Sequence, residues 1–297
     1  MSEQRTILIT GATDGLGRAL ASGLAADGDR LLLHGRDQAR LDAAADEIAA
    51  EAGGARPLTV LADFADLAQV RALTGQVLAL TGRLDALVSN AGIGSGLPDS
   101  KGRAVSADGY ELRFAVNYLA GFALTLGLLP LLRATGGARI VNVASLGQAP
   151  IDFDDVMIEK GYSGSRAYGQ SKLAQITSGF TLARLLPAAE VTVNSLHPAT
   201  YMPTKMVLQE IGHSMDTLAR GEAATRRLVS DPALAGVTGR FYDRKTETRA
   251  HPAAYDPEVQ QRLWKLSLDL TGMDDPGVQQ QLWKLSLDLT GTPDPGL

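Results

Sequence analysis

At 297 residues, with 45% hydrophobic and 21% charged side chains, the chain has the make-up of a soluble α/β domain able to bury a large core. A net charge of -5 argues against nucleic acid or an anionic membrane surface as the main partner, because both require a concentrated basic face, and leaves a small-molecule substrate. The absence of cysteine excludes disulfides, a thiolate nucleophile and a cysteine-ligated metal, in keeping with a reducing cytoplasm; His34, His197, His213 and His251 lack ligand spacing, so no metal site is expected.

The first expected element is a strand over 6–10, too short for a secretory signal. It runs into Thr10-Gly11-Ala12-Thr13-Asp14-Gly15-Leu16-Gly17 and then a helical pattern over 18–26. Strand, glycine turn and helix in that order suit a pyrophosphate, since glycines let backbone come close and the free amides at the helix start favour negative charge. Gly11, Thr13, Asp14, Gly15, Leu16 and Gly17 are therefore candidate cofactor contacts. The strand over 30–34 ends in His34-Gly35-Arg36-Asp37. An NAD-preferring site would place an acid there for the ribose 2′-hydroxyl. Gly35 stands in its place, and Arg36 is either a partner for the 2′-phosphate of NADP(H) or a surface arginine paired with Asp37 or Asp63.

Leu41, Ala44, Ala45 and Ile48 mark one amphipathic helix, and Val70, Leu73, Val77 and Leu80 mark another. Between them a strand over 58–62 leads to Asp63 and Phe64, candidate adenine contacts, with helix capping the alternative role of Asp63. A strand over 86–89 leads to Asn90, Ala91 and Gly92, small enough for a ribose to pass close to the backbone. The apolar run over 119–132, interrupted by Gly121, Gly127 and Pro130, falls short of the roughly 20 residues of a membrane span and reads as a buried core helix. Asn117 precedes it, either holding a water against Lys172 or tying down a backbone bend.

Ser145 ends a strand over 139–144, where its hydroxyl can donate to a substrate oxygen. In the helix expected over 166–186, Tyr168 and Lys172 are i and i+4 and share a face. The positive charge is expected to lower the tyrosine pKa from about 10 towards the working pH of a general acid. Strands over 191–196 and, weakly, 239–242 complete a doubly wound parallel sheet of Rossmann type, whose ligands gather at the carboxyl ends of its strands.

One domain is expected over 1–250, followed by a tail over 251–297. In the tail, DPEVQQRLWKLSLDLTG at 256–272 returns 19 positions later as DPGVQQQLWKLSLDLTG at 275–291. Val259, Leu263, Leu266 and Leu270 make an apolar stripe at helical spacing, repeated as Val278, Leu282, Leu285 and Leu289. One copy packing on the domain, a subunit contact in a homo-oligomer and a lid over the cleft all fit this pattern; two copies are too few for a solenoid.

Taken together, Thr10–Gly17, Asn90-Ala91-Gly92, Asn117, Ser145, Tyr168 and Lys172 resemble, in order, the motifs of the short-chain dehydrogenase/reductase family, over about residues 6–242. The resemblance implies an NADP(H)-dependent oxidoreductase with Tyr168 as proton donor, Lys172 on the nicotinamide ribose, Ser145 positioning a carbonyl and Asn117 carrying a relay water. It also places Pro198 and either Thr200 or Thr204 at the nicotinamide. The long gap between Ser145 and Tyr168, containing 149–164, and the stretch 113–130 are similar to the retinol-dehydrogenase-like branch, which implies an apolar aldehyde or ketone; the Ala-rich composition suggests a high-GC bacterium and adds secondary-metabolite ketones or quinones as expected substrates. Running the reverse alcohol oxidation, or sensing NADP without chemistry, are the alternatives. Three features depart from the pattern: Ser89 where a first Asn is usual, Ala199 for the usual Gly, and Thr204 one place late.

Overall fold

The computed structural model describes residues 4–96 and 102–273. Eight strands form one sheet in the order β3-β2-β1-β4-β5-β6-β7-β8. Strands β1 (Thr6–Ile9), β2 (Arg30–Gly35), β3 (Leu58–Leu61), β4 (Ala86–Ser89), β5 (Ala138–Val143), β6 (Val191–His197) and β7 (Phe241–Asp243) run parallel, and β8 (Thr246–Thr248) pairs antiparallel with β7. The inner strands are buried on both faces, which is why they read as continuous apolar runs such as Ile7-Leu8-Ile9 and Leu31-Leu32-Leu33. Strand order reverses between β1 and β4, where a crevice opens at the carboxyl ends.

One face is covered by α1 (Gly15–Ala26), α2 (Gln38–Ala52) and α8 (Leu218–Ser230) through Leu20, Leu24, Leu41, Ile48 and Leu228. The other is covered by α3 (Leu67–Leu80), the helical stretch α4 (Leu112–Phe114), π turn (Ala115–Leu119) and α5 (Ala120–Thr135), then α6 (Gly164–Leu185) and α9 (Pro257–Thr271). A short α7 (Lys205–Glu210) stands over the strand ends.

Most expected strands agree to within a residue or two at either end. Sequence reasoning missed β8, whose Thr-Glu-Thr residues are exposed and carry no apolar signal; Arg244, in the turn before it, has φ +56°. The core helix is longer than its apolar run suggested. Leu112–Thr135 is one 24-residue helical stretch whose most apolar 18-residue window has a mean hydropathy of 1.7, long and apolar enough by length and composition to cross a membrane, which corrects the reading that it falls short. Its most apolar window is 72% buried inside this fold, against α3 and α6, as a core helix should be.

Helix α9 starts at the N-cap Asp256 with proline at its first position and stops at Gly272 in the left-handed region (φ +62°). It turns inward the face of Gln260, Leu263, Trp264, Ser267, Leu268 and Thr271, a rotation from the expected stripe, of which only Leu263 is fully buried. Two contacts set that rotation: Trp264 meets Phe122 edge-on at 5.1 Å, and Ser267 Oγ lies 2.5 Å from the Tyr118 hydroxyl. Ser267 and Thr271 can face inward because their hydroxyls donate to the carbonyls one turn back. The second copy lies outside the described residues; its two differences fall at Glu258 and Arg262, both exposed in the first copy.

Candidate active site

The strand ends open into one cleft of about 1180 Å³, large enough for a dinucleotide and a substrate together. At its β1 end Gly11, Thr13, Asp14, Gly15 and Leu16 form the wall. Gly17 lies beneath them, where a Cβ would collide with the Gly11 carbonyl and the Asn90 amide, so the glycine is what lets α1 start this close to the turn. Asn90 donates from Nδ2 to the carbonyls of Thr10 (2.8 Å) and Gly11 (3.1 Å), and the Thr10 hydroxyl accepts from the amides of Asn90 and Ala91. The β4 end is thereby bolted to the glycine turn. Asp14 caps α1 through the Gly15 amide and pairs with Arg40 at 3.2 Å.

His34 joins three strand ends: Nδ1 accepts from the Gly11 amide at 3.3 Å, and Nε2 lies 3.0 Å from the Ala62 carbonyl. A carbonyl only accepts, so the proton sits on Nε2. Burial lowers the His34 pKa to about 4, and the neutral ring stacks on Phe64 at 4.3 Å in the cleft wall. Asp63 accepts from the Ala65 amide, while the cap of α3 is Asp66. A side chain at Gly35 would meet the Thr13 methyl at 2.8 Å, so the place of a ribose-binding acid is already filled. Arg36 is exposed at the cleft and has no ion-pair partner among the described residues; neither Asp37 nor Asp63 holds it. Arg40, which sequence reasoning missed, adds a second guanidinium because the first turn of α2 folds back over the β2 end.

At the chemical end Ser145, Tyr168 and Lys172 share the cleft with Ala91 and Gly92. The Gly147 amide donates to Ser145 Oγ at 3.0 Å, and a Cβ on Gly147 would lie 3.4 Å from that oxygen and 3.8 Å from the Tyr168 ring, so the two side chains are neighbours. Lys172 Nζ donates inward to the Val143 carbonyl (3.0 Å) and Gln175 Oε1 (3.3 Å), 5.9 Å from the Tyr168 ring centre. The expected lowering of the tyrosine pKa is not found: burial pushes the phenol up, opposed by the Ser145 hydroxyl and reinforced by Glu210 and Tyr201. Burial also lowers Lys172, to about 8. The shared helix face supplied the pair, but the ammonium points to the strand ends rather than to the phenol.

Asn117 sits in the π turn, behind the cleft wall rather than in it. Its Oδ1 accepts from the Ile93 amide (2.7 Å), and Nδ2 donates to the Ile93 carbonyl and Ser171 Oγ, so it ties down the backbone after Gly92. A Cβ on Gly92 would lie 3.1 Å from Asn117 Oδ1 and 3.7 Å from Lys172 Nζ; the bare glycine leaves the space between them open.

Pro198, Thr200 and Thr204 line the cleft beyond β6. The Thr200 hydroxyl is committed to Arg244 Nη2 and His197 Nε2, both at 3.1 Å, and its amide donates to Asp216 at 2.9 Å. Arg244, the Thr200 amide and Arg220 hold the Asp216 carboxyl well below the usual carboxylate range. Thr204 instead caps α7 through the Val207 amide and turns its methyl towards Gly15. Among the described residues no cluster of three or more His, Asp or Glu could hold a metal.

The short chain dehydrogenase family model matches residues 5–213. The chain belongs to that family. Among curated relatives of this dehydrogenase, human retinol dehydrogenase 14 is 36% identical over 296 residues, covering 91% of this chain and 87% of its own. Mouse polyprenol dehydrogenase is 35% identical over 286 residues, covering 90% and 84%. Among solved structures, the Pseudomonas aeruginosa RhlG/NADP complex superposes with a TM-score of 0.66 at 26% identity, over 80% of this chain and 94% of that one. The dehydrogenase is an NADP(H)-dependent oxidoreductase acting on a small organic molecule, and its cleft fits the cofactor: glycines hold the turn after β1 where a Cβ would clash, and two guanidiniums line the cleft at the β2 end.

Proposed function

We propose that this dehydrogenase reduces the carbonyl group of an apolar ketone, aldehyde or quinone, with Tyr168 giving the proton. The observation that carries the reading is the meeting of the Tyr168 phenol and the Ser145 hydroxyl at the cleft floor, one helical turn from a buried lysine. Burial keeps the phenol protonated through neutral pH, the state a proton donor needs.

Gly11, Gly15, Arg36, Asn90 and Lys172, which line or frame the cleft, would hold NADPH, which would supply the hydride for the carbonyl carbon. Ser145 Oγ accepts from the Gly147 amide, so its own O–H is free to donate to the carbonyl oxygen as charge develops there. Tyr168 passes its proton to the same oxygen, and Lys172, charged at neutral pH and 5.9 Å from the ring centre, offsets the phenolate left behind through its charge rather than by contact. The open space at Gly92, between Lys172 Nζ and Asn117 Oδ1, is where a relay water would return the proton. Val116, Leu146, Met206, Val207 and Ile211 make the substrate wall apolar and, with methionine among them, adaptable. The retinol and polyprenol named for the relatives are apolar alcohols of that kind.

A panel of all-trans-retinal, a long-chain aldehyde and an ortho-quinone, followed by loss of NADPH absorbance, tests the reading. Tyr168→Phe should lower kcat by about 10²–10⁴-fold while NADPH binding, read by fluorescence, survives. Turnover retained in that variant would sink the mechanism.

A further inference from the structure

We infer that Gln175 is a positioning residue for Lys172, its side-chain amide bridging the ammonium to the end of β4; this rests on the proposed role of the Tyr168–Lys172 pair. Lys172 is buried and has three N–H groups to satisfy. One goes to the Val143 carbonyl at the end of β5, at 3.0 Å, and a second to Gln175 Oε1 at 3.3 Å. From the same buried amide, Gln175 Nε2 donates to the Ser89 carbonyl at 3.3 Å. Ser89 is the residue before Asn90-Ala91-Gly92, so the lysine is fastened to the backbone of two adjacent strand ends, and its third N–H remains for the cleft.

The chemistry of the amide matters as much as its place. An ammonium with a single acceptor in a buried site loses its proton easily, whereas a carboxylate in the same place would pin the charge and draw it from the cleft. A glutamine supplies an acceptor without a net charge and, unlike a hydroxyl, reaches a second anchor with its own N–H groups. No carboxylate hydrogen-bonds Lys172 among the described residues. The titratable groups that share the cleft with it include Tyr168 one turn back, Glu210 of α7 and Tyr201, which act on Tyr168, and His197 at the end of β6, whose pKa burial lowers. None of these takes the place of Gln175 as an acceptor.

Two substitutions of similar size separate holding the charge from filling space: Gln175→Leu removes the acceptor, and Gln175→Glu makes it anionic. NADPH affinity is measured by fluorescence across pH 6–10, alongside kcat/KM for all-trans-retinal. Affinity and activity that depend on a charged lysine fall as pH rises through its pKa. Gln175→Leu should move that fall to lower pH and reduce kcat on the order of tenfold or more, and Gln175→Glu should move it up by about one unit or more. A fall that stays at the wild-type pH in both folded variants overturns the inference. If Gln175→Leu does not fold, the Glu variant decides alone. The binding titration needs no turnover, so the inference can fail while Tyr168→Phe still abolishes activity, and it can stand even if that variant remains active.

Discussion

At the scale of single residues, the proposed source of a preference for NADPH is Arg36. Arg36 is exposed, without an ion-pair partner among the described residues, and set at the β2 end, so its guanidinium is available for a phosphate dianion. A charge-assisted bond of this kind contributes about 1.5–3 kcal/mol. Arg36→Ala should therefore raise the KM for NADPH by roughly tenfold or more and leave that for NADH nearly unchanged; steady-state assays with both cofactors check this, and equal effects would remove Arg36 from the site. Arg40 is already engaged with Asp14 across an exposed 3.2 Å pair, so its substitution should cost less. Arg36 was legible in the sequence because it follows a strand end directly. Arg40 was not, because only the return of α2 over that strand brings it to the cleft. Tyr168 shows the same limit from the other side, since i and i+4 spacing assured proximity and left burial, the larger influence on the phenol, unstated.

Elements show where periodicity is enough and where it is not. The β1–α1 and β5 ends needed only apolar runs and glycines to be read. The π turn over Asn117 has no such signal, yet it aims that side chain at the Ile93 backbone and so shapes the floor beside Gly92. Helix α9 was recognised as amphipathic but given the wrong face, because Trp264, Ser267 and Thr271 face inward only where Phe122 and Tyr118 receive them. Truncating a buried tryptophan costs about 3–5 kcal/mol, so Trp264→Ala should lower Tm by roughly 5–15 °C in calorimetry. A loss of less than about 1 kcal/mol would overturn the role of Trp264 in fixing the face that α9 buries.

For the molecule as a whole, the sheet gathers residues from across the sequence into one cleft at the point where strand order reverses. NADPH bound in that cleft would bind the folded state alone and so would stabilise it by linkage. At a hundredfold excess over Kd the gain is about 2.7 kcal/mol, which should raise Tm by several degrees in a thermal shift assay; NADH at the same concentration should raise it less. The sequence alone determined the doubly wound fold, the glycine turn, the place of Arg36 at the β2 end and the Ser145, Tyr168 and Lys172 set, because strand and helix periods and strand-end positions are local properties of a chain. Only the tertiary structure decided which way Lys172 points, what holds it, which face α9 buries and that Thr200 is spent on Asp216, Arg244 and His197 while Thr204 faces the glycine turn. Those outcomes depend on burial and on partners distant in sequence, and spacing encodes neither.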